Sequence, residues 1–174
     1  MKIDGYKIQH TIRELEHQRE IAASQFADSL YAFPGETKPE TWKFAEIHQH
    51  CEESIAGLQV VQARYNLAVL IDVPVDGGQG LLSMTLHEAV KRVGGAGRME
   101  KMWRSASKEP KERFGYGGEH KREAGAVFSR RTVPLTTAIE NARFAARFAN
   151  ALRAAIQKAN ATEKDMDVDE ALFG

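Results

Sequence analysis

The segment AEIHQHCEES, residues 45–54, contains two histidines, one cysteine and three glutamates, all of them residue types that can bind a metal ion. On an α-helix each residue turns about 100° from the one before, so His48 and His50 lie about 200° apart and cannot share one ion. His48 and Cys51 share a face, but that face is the apolar stripe of the predicted helix. Glu46 and His50 share the solvent side. The spacing therefore divides the segment into two unrelated pairs.

The pair of His48 and Cys51 supplies only half of a zinc site, and the chain has one cysteine. A core cysteine beside a hydrogen-bonded histidine is the favoured interpretation. Glu14 and His17 have the Glu-x-x-His spacing of di-iron bundles, which need that motif twice, whereas the chain has it once. There is also no nucleophile elbow, Walker loop or dinucleotide-binding glycine fingerprint. We therefore expect no metal, no cofactor and no enzymatic activity.

A stronger chemical signal is the basic segment 91–131, which has twelve Lys/Arg and five Asp/Glu residues in a chain of zero net charge. The glycine-rich stretch 94–97 can expose backbone N–H groups, and a helix beginning at Arg98 would point its positive end at the same place. This arrangement predicts a basic pocket for a phosphate-bearing small ligand, such as a nucleotide or a nucleotide-derived signal. The candidate ligand-binding residues are Gly95, Gly97, Arg98, Lys101, Trp103, Arg104, Tyr116, Arg130 and Arg131.

Two other interpretations of the basic segment stay open. The glycines can simply end one helix and begin the next, with the charges in solvent. Alternatively, residues 85–93 and 98–107 form a helix-turn-helix that contacts DNA or RNA, and the protein is a structural or adaptor protein. Zero net charge and an acidic tail weigh against strong binding to duplex DNA.

Two long helices are predicted ahead of this segment. Apolar residues spaced three, four and seven apart predict a helix over 8–33, ended by Pro34, and a second over 39–66, begun by Pro39. Because their connection is short, the two helices should form an antiparallel hairpin.

The rest of the chain predicts shorter elements and one more helix. A β-branched run in 67–75 predicts a short strand, with 126–133 as its partner, and the region 67–133 also holds the small helix-turn-helix and the basic glycine-rich loop. The last helix is predicted over 137–160, with Thr137 as its N-cap, followed by an acidic tail, 161–174, that we expect to be mobile. The predicted fold is one mainly α domain with a short two-stranded β element.

Composition favours a soluble cytoplasmic protein. With one cysteine, the chain can form no internal disulfide, and we expect the reducing cytoplasm of a bacterium or of a phage-infected bacterium. No apolar run approaches the length of a membrane span, so no membrane contact is expected. The long helices and the small residues of the last helix predict a homo-oligomer, because a monomer would leave apolar surface uncovered. The face that we expect to contact another helix contains Ala138, Ala142, Ala145 and Ala149.

Three short motifs carry a resemblance to a known family. They are the RYNLA segment at 64–68, the TLHEA segment at 85–89 and the IQKAN segment at 156–160. In this order, the chain resembles the small helical bacterial proteins often labelled septicolysin. The resemblance implies a mostly helical, oligomeric fold and no particular activity. The chain departs from the family pattern in the glycines of 94–97 and in the basic loop that follows, where we expect any specialised role.

Overall fold

A computed structural model describes residues 1–35, 40–75, 80–108 and 132–173 of the chain. Within these ranges the protein is mainly helical, which confirms the predicted fold class. No helix among the described residues is long and apolar enough to cross a membrane. The elements in chain order are β1 (Lys2–Ile3), α1 (Gly5–Ser29), α2 (Thr41–Ala68), β2 (Leu70–Val75), β3 (Gly80–Thr85), α3 (Leu86–Ala106), α4 (Leu135–Asn160), β4 (Lys164–Asp165) and a 3-10 helix (Glu170–Phe173).

The chain, which we predicted to be a single domain, divides into two compact units. The hairpin unit consists of Met1–Ile71, Ser83–Glu88 and Ala155–Gly174. The α3–α4 unit consists of Asp72–Leu82 and Ala89–Ala154. The predicted ligand-binding residues that the structure describes therefore belong to the α3–α4 unit: Gly95, Gly97, Arg98, Lys101, Trp103 and Arg104.

In the hairpin unit, α1 and α2 form the predicted antiparallel hairpin. The backbone N–H of Lys7 donates to the carboxylate of Asp4 at 2.7 Å, which caps α1 and starts it at Gly5 rather than at residue 8. The apolar stripes of α1 and α2 are buried, as predicted, in the part of the hairpin farther from the loop that joins the two helices. The buried apolar side chains there are Ile8, Ile12 and Ala22 of α1 and Cys51, Ile55, Leu58, Val61 and Tyr65 of α2.

At the tip of the hairpin both helices have different ends from those predicted. α1 stops at Ser29, four residues short of residue 33, because the Ser29 hydroxyl donates to the Phe26 carbonyl at 2.8 Å and the Thr41 hydroxyl donates to the Ser29 carbonyl at 3.0 Å. These bonds satisfy carbonyls of the last turn before Pro34 is reached. α2 begins at Thr41 instead of residue 39 and runs to Ala68.

The acidic tail, which we predicted to be mobile, is ordered against the hairpin. β4 pairs with β1 in an antiparallel register that places Ile3 opposite Lys164. Leu172 in the 3-10 helix packs on Gly57, where a Cβ atom would lie 3.2 Å from its side chain. The Lys7 ammonium lies 5.3 Å from the centre of the Phe173 ring. These contacts fix the tail to both long helices.

The strand β2 pairs with β3. The partner that the sequence predicted, 126–133, is not seen beside it among the described residues. Only four residues connect the two strands, and a connection that short requires an antiparallel hairpin. Residues 126–131 lie outside the described residues, and Thr132 and Val133 belong to no strand. The sequence signal was the Asp-Gly-Gly turn at 76–78, which marks a hairpin as well as the end of a strand.

α3 is one continuous helix from Leu86 to Ala106, so the predicted helix-turn-helix is wrong. Its start is a capping box: the Thr85 N–H donates to the Glu88 carboxylate at 2.8 Å, and the Glu88 N–H donates to the Thr85 hydroxyl at 3.2 Å. Glycine in a helix costs only about 1 kcal/mol relative to alanine. The three glycines of 94–97 therefore do not interrupt a helix that is capped and packed at other positions.

α4 runs from Leu135 to Asn160, two residues longer at its start than predicted. Thr137 is consequently inside the helix and is not its N-cap. Ala138 and Ala149 are fully buried and Ala145 is 9% exposed. Ala138 and Ala149 therefore pack within the chain, whereas Ala142 is half-buried.

Candidate functional site

The continuity of α3 removes the anion site that the glycines were expected to form. Backbone N–H groups inside a helix donate to carbonyls four residues earlier, and only those of the first turn are available to a ligand. Gly95, Gly97 and Arg98 lie in the middle of α3. The predicted phosphate cradle at a helix N-terminus is therefore wrong, and any ligand of this region must be bound by side chains.

The predicted binding residues on α3 do not share one surface. Gly95 and Trp103 line a cleft between α3 and α4, whereas Gly97 and Arg104 lie on a face near Arg153 of α4. A third, open surface is lined by Arg98 and Lys101 together with Met102, Ser105 and Ala106. Of the predicted binding residues, the structure thus places two, Gly95 and Trp103, in a concave site. The predicted residues Tyr116, Arg130 and Arg131 lie outside the described residues.

The concave site, here called the α3–α4 cleft, has a volume of about 400 Å³. Its small lining residues are the most buried, because Ala96 and Ala145 are each 9% exposed. Large side chains stand around them, among which Phe144 is 44% exposed and Met99 is 49% exposed. The cleft is therefore open and mostly apolar, with aromatic rings on both helices. Its lining residues are Arg92, Gly95, Ala96, Met99 and Trp103 of α3 and Asn141, Phe144, Ala145 and Phe148 of α4.

Two polar side chains lie in this apolar cleft, Arg92 on α3 and Asn141 on α4. Arg92 is exposed and has no ion-pair partner among the described residues. A guanidinium next to an apolar wall can bind an anionic group with two parallel hydrogen bonds while aromatic rings hold the rest of the ligand. The amide of Asn141 can both donate and accept. The cleft thus combines one positive charge with flat apolar surface.

The guanidinium of Arg104 already forms an ion pair, so it is not available to a ligand as the guanidinium of Arg92 is. The Arg104 guanidinium lies 2.6 Å from the carboxylate of Glu100, and Arg153 of α4 approaches the other oxygen of that carboxylate at 3.6 Å. Arg153 also donates to the Asn150 side chain at 2.8 Å. Glu100 therefore links α3 to α4 and neutralises part of the local positive charge.

Sequence reasoning missed the α4 side of the cleft. Asn141, Phe144 and Phe148 were not candidates, because the pairing of α3 with α4 is a tertiary feature. A signal was nevertheless present: the segment ARFAARFA, 142–149, repeats an Arg-Phe pair at a spacing of four residues. On a helix that spacing stacks Phe144 and Phe148 on one face and Arg143 and Arg147 on another.

The His-rich segment at 45–54 belongs to the hairpin unit. Cys51 is a free thiol and 1% exposed, as expected for a core cysteine. His48 is half-buried and lines a groove of about 300 Å³ with Ala23, Phe26 and Ala45. Among the residues that the structure describes, no three His, Cys, Asp or Glu side chains are grouped so that they could hold a metal ion.

The α3–α4 cleft must be interpreted from its own chemistry, because no protein-family model, no curated protein and no solved structure matches this chain.

Proposed function

We propose that this protein is a non-enzymatic, homo-oligomeric binding protein that captures a nucleotide-like ligand in the α3–α4 cleft. The ligand would place its planar base against the aromatic walls and its phosphate on Arg92. The observation that carries the proposal is that the Arg92 guanidinium lines the same cleft of about 400 Å³ as the aromatic rings of Trp103 and Phe144. Small-ligand sites are typically mostly apolar, with a few convergent polar groups that fix orientation.

The charge of the α3–α4 unit supports an anionic ligand. The ranges Asp72–Leu82 and Ala89–Ala154 contain fifteen Lys/Arg and eight Asp/Glu residues, a net charge of +7 in a chain that is neutral as a whole. A positive potential over the cleft raises the local concentration of anions and their rate of association. The ligand should therefore carry negative charge in addition to an apolar ring.

The composition of the cleft supports binding without catalysis. The nine residues of its lining that the structure describes include no carboxylate, imidazole, thiol or hydroxyl group. These are the groups that most often act as general bases or nucleophiles. The cleft can hold and orient a ligand, and its lining offers no group to activate water or to attack phosphorus. The buried free cysteine also agrees with a reducing, cytoplasmic location.

Apolar side chains at the tip of the hairpin support the homo-oligomer. Leu30 is 53% exposed, Tyr31 is 86% exposed and Trp42 is 80% exposed. The hydrogen bond from Thr41 to the Ser29 carbonyl holds these three residues at the same end of the hairpin. Clustered exposed apolar side chains of this size commonly mark interaction surfaces. Oligomeric assembly is also what the resemblance to the septicolysin proteins implies.

Calorimetric titration with AMP, GMP, UMP and cyclic AMP tests the proposed ligand class. Saturable binding of one of them is expected, and Arg92→Gln should weaken it by roughly ten- to a hundredfold, since a lost charge-assisted hydrogen bond is worth about 1.5–3 kcal/mol. Arg98→Gln is the matched control, because Arg98 is an exposed arginine of the same helix that does not line the cleft. Absence of saturable binding, or equal loss in both variants, would contradict the proposal.

A further inference from the structure

The α3–α4 unit presents more positive charge than one small phosphate ligand can use. Six of its cationic side chains are exposed and have no ion-pair partner among the described residues. By contrast, Arg104 and Arg153 share the carboxylate of Glu100. The six are Lys91, Arg92, Arg98 and Lys101 of α3 and Arg143 and Arg147 of α4.

The opposite charge is concentrated in the other unit. Since the whole chain has no net charge, the hairpin unit carries −7 where the α3–α4 unit carries +7. Zero net charge argued against nucleic acid when the chain was considered as a whole. Binding depends instead on the charge of the local surface, because attraction between exposed charges falls off over about 10 Å at 0.1 M salt.

The arginines of α4 lie close to the cleft. On a helix, Arg147 is about 60° around the axis from Phe144, a lining residue of the cleft, and Arg143 is one turn before Arg147. Two arginines one turn apart form a short row of positive charge along α4. A chain of phosphates could follow this row while one of its bases enters the cleft.

The apolar side chains of the cleft distinguish single strands from duplexes. Phe144 and Met99 expose 44% and 49% of their surface at the opening. In a duplex the faces of the bases are stacked on one another and cannot reach such a surface. Proteins that bind single strands combine a positive groove with aromatic side chains on which unpaired bases stack.

We propose that the physiological ligand of the α3–α4 cleft is a nucleotide within a single-stranded nucleic acid. One unpaired base occupies the cleft between Trp103 and Phe144, and the neighbouring phosphates contact Arg143 and Arg147. The inference rests on the proposed function, because it uses the same cleft and adds the polymer.

Fluorescence anisotropy tests the inference with a labelled single-stranded 20-mer of mixed sequence, the same sequence as a duplex, and heparin as an unrelated polyanion. The single strand should bind more tightly than the best mononucleotide and more tightly than the duplex. Heparin should compete poorly, and the mononucleotide should compete for the cleft. For single strands the logarithm of the binding constant falls with the logarithm of salt concentration by about 0.7 per phosphate contact.

The variant Arg143→Gln/Arg147→Gln removes two charges from the row. Its salt dependence should therefore be shallower by about 1.4, while mononucleotide binding stays unchanged. The matched control is Arg13→Gln/Arg64→Gln, which removes two exposed cations from the hairpin unit and should not change the salt dependence.

The outcomes separate the two proposals. If mononucleotides bind but the single strand binds no more tightly, or if duplex or heparin binds equally well, the inference is overturned and the proposed function stands. The same follows if the two double variants behave alike. If no mononucleotide binds, the proposed function fails and the inference fails with it.

Discussion

The hydroxyl of Tyr65, near the end of α2, donates to the carbonyl oxygens of Ala159 and Thr162, each at 2.7 Å. Tyr65 is fully buried. A single phenol group therefore joins the end of α2 to the end of α4 and the residues that follow it, within the hairpin unit.

Removing this hydroxyl should destabilise the protein. Tyr65→Phe removes the donor that bonds the carbonyls of Ala159 and Thr162, and among the described residues only the Ala159 carbonyl also accepts from the Thr162 N–H, so we expect the free energy of unfolding to fall by about 1–3 kcal/mol. Urea denaturation followed by circular dichroism measures the change. Tyr6→Phe is the matched control, because the Tyr6 hydroxyl donates to Gln157 at 3.2 Å from an exposed position. Equal losses of unfolding free energy in the two variants would show that the buried Tyr65 hydroxyl stabilises the protein no more than the exposed Tyr6 hydroxyl does.

Tyr65 should also make the protein sensitive to alkali. Burial raises the pKa of its phenol above the usual value, an effect only partly offset by the Gly5 N–H bond. Because the folded state holds this proton more tightly than the unfolded state, the contribution is complete below the unfolded pKa of about 10 and is lost as the pH rises above it. Melting temperatures should therefore fall more steeply above pH 10 in the wild type than in Tyr65→Phe. Parallel curves would contradict this assignment.

The continuity of α3 predicts that a glycine in its middle is replaceable. Gly94 has helical geometry, and a Cβ there would meet only the flexible end of Arg98 at 3.6 Å. Gly94→Ala should stabilise the protein by about 0.5–1 kcal/mol. Gly35→Ala is the contrasting control, because Gly35 has a φ of 95° and alanine is strained there. A loss of stability in Gly94→Ala would indicate a turn at this position instead of a helix.

Self-association through the tip of the hairpin predicts that Tyr31→Ser/Trp42→Ser lowers the oligomeric mass in light scattering at micromolar concentration. Both side chains are more than three-quarters exposed, so the substitutions should leave the melting temperature of the monomer nearly unchanged. The control is Leu70→Ser/Leu81→Ser, which removes two similarly exposed side chains from the β2–β3 hairpin. A monomeric wild-type protein would contradict a tip-mediated interface. Dissociation of both double variants would contradict it as well.

The long helices could be predicted because each carries a local periodic signal. The apolar stripes of α1, α2 and α4 repeat at the helical spacing over many turns, and burial follows them at Ile8, Leu58 and Leu152. Their ends were less predictable. Pro34 predicted that α1 would end at residue 33, but the helix ends earlier, at Ser29, whose carbonyl accepts a hydrogen bond from Thr41, 12 residues away in sequence.

The cleft could be predicted only in part. Trp103 and Gly95 were identified from their own segment, but the glycines around them were interpreted as a turn, because glycine is common in turns and costs about 1 kcal/mol relative to alanine inside a helix. The competing signal was the capping box at Thr85 and Glu88, which fixes where α3 starts but not where it ends. The other wall of the cleft comes from α4, and no local pattern specifies which helix packs on which.

The division into two units has a consequence for fragments of this protein. The chain passes from one unit to the other at 71–72, 82–83, 88–89 and 154–155, and each passage falls inside a strand or a helix rather than in a linker. No single cut separates the units, and a truncation at any of these points removes hydrogen bonds from a continuous element. The acidic and basic halves are thus covalently interleaved, so that neither can be inherited, excised or expressed as a module without the other.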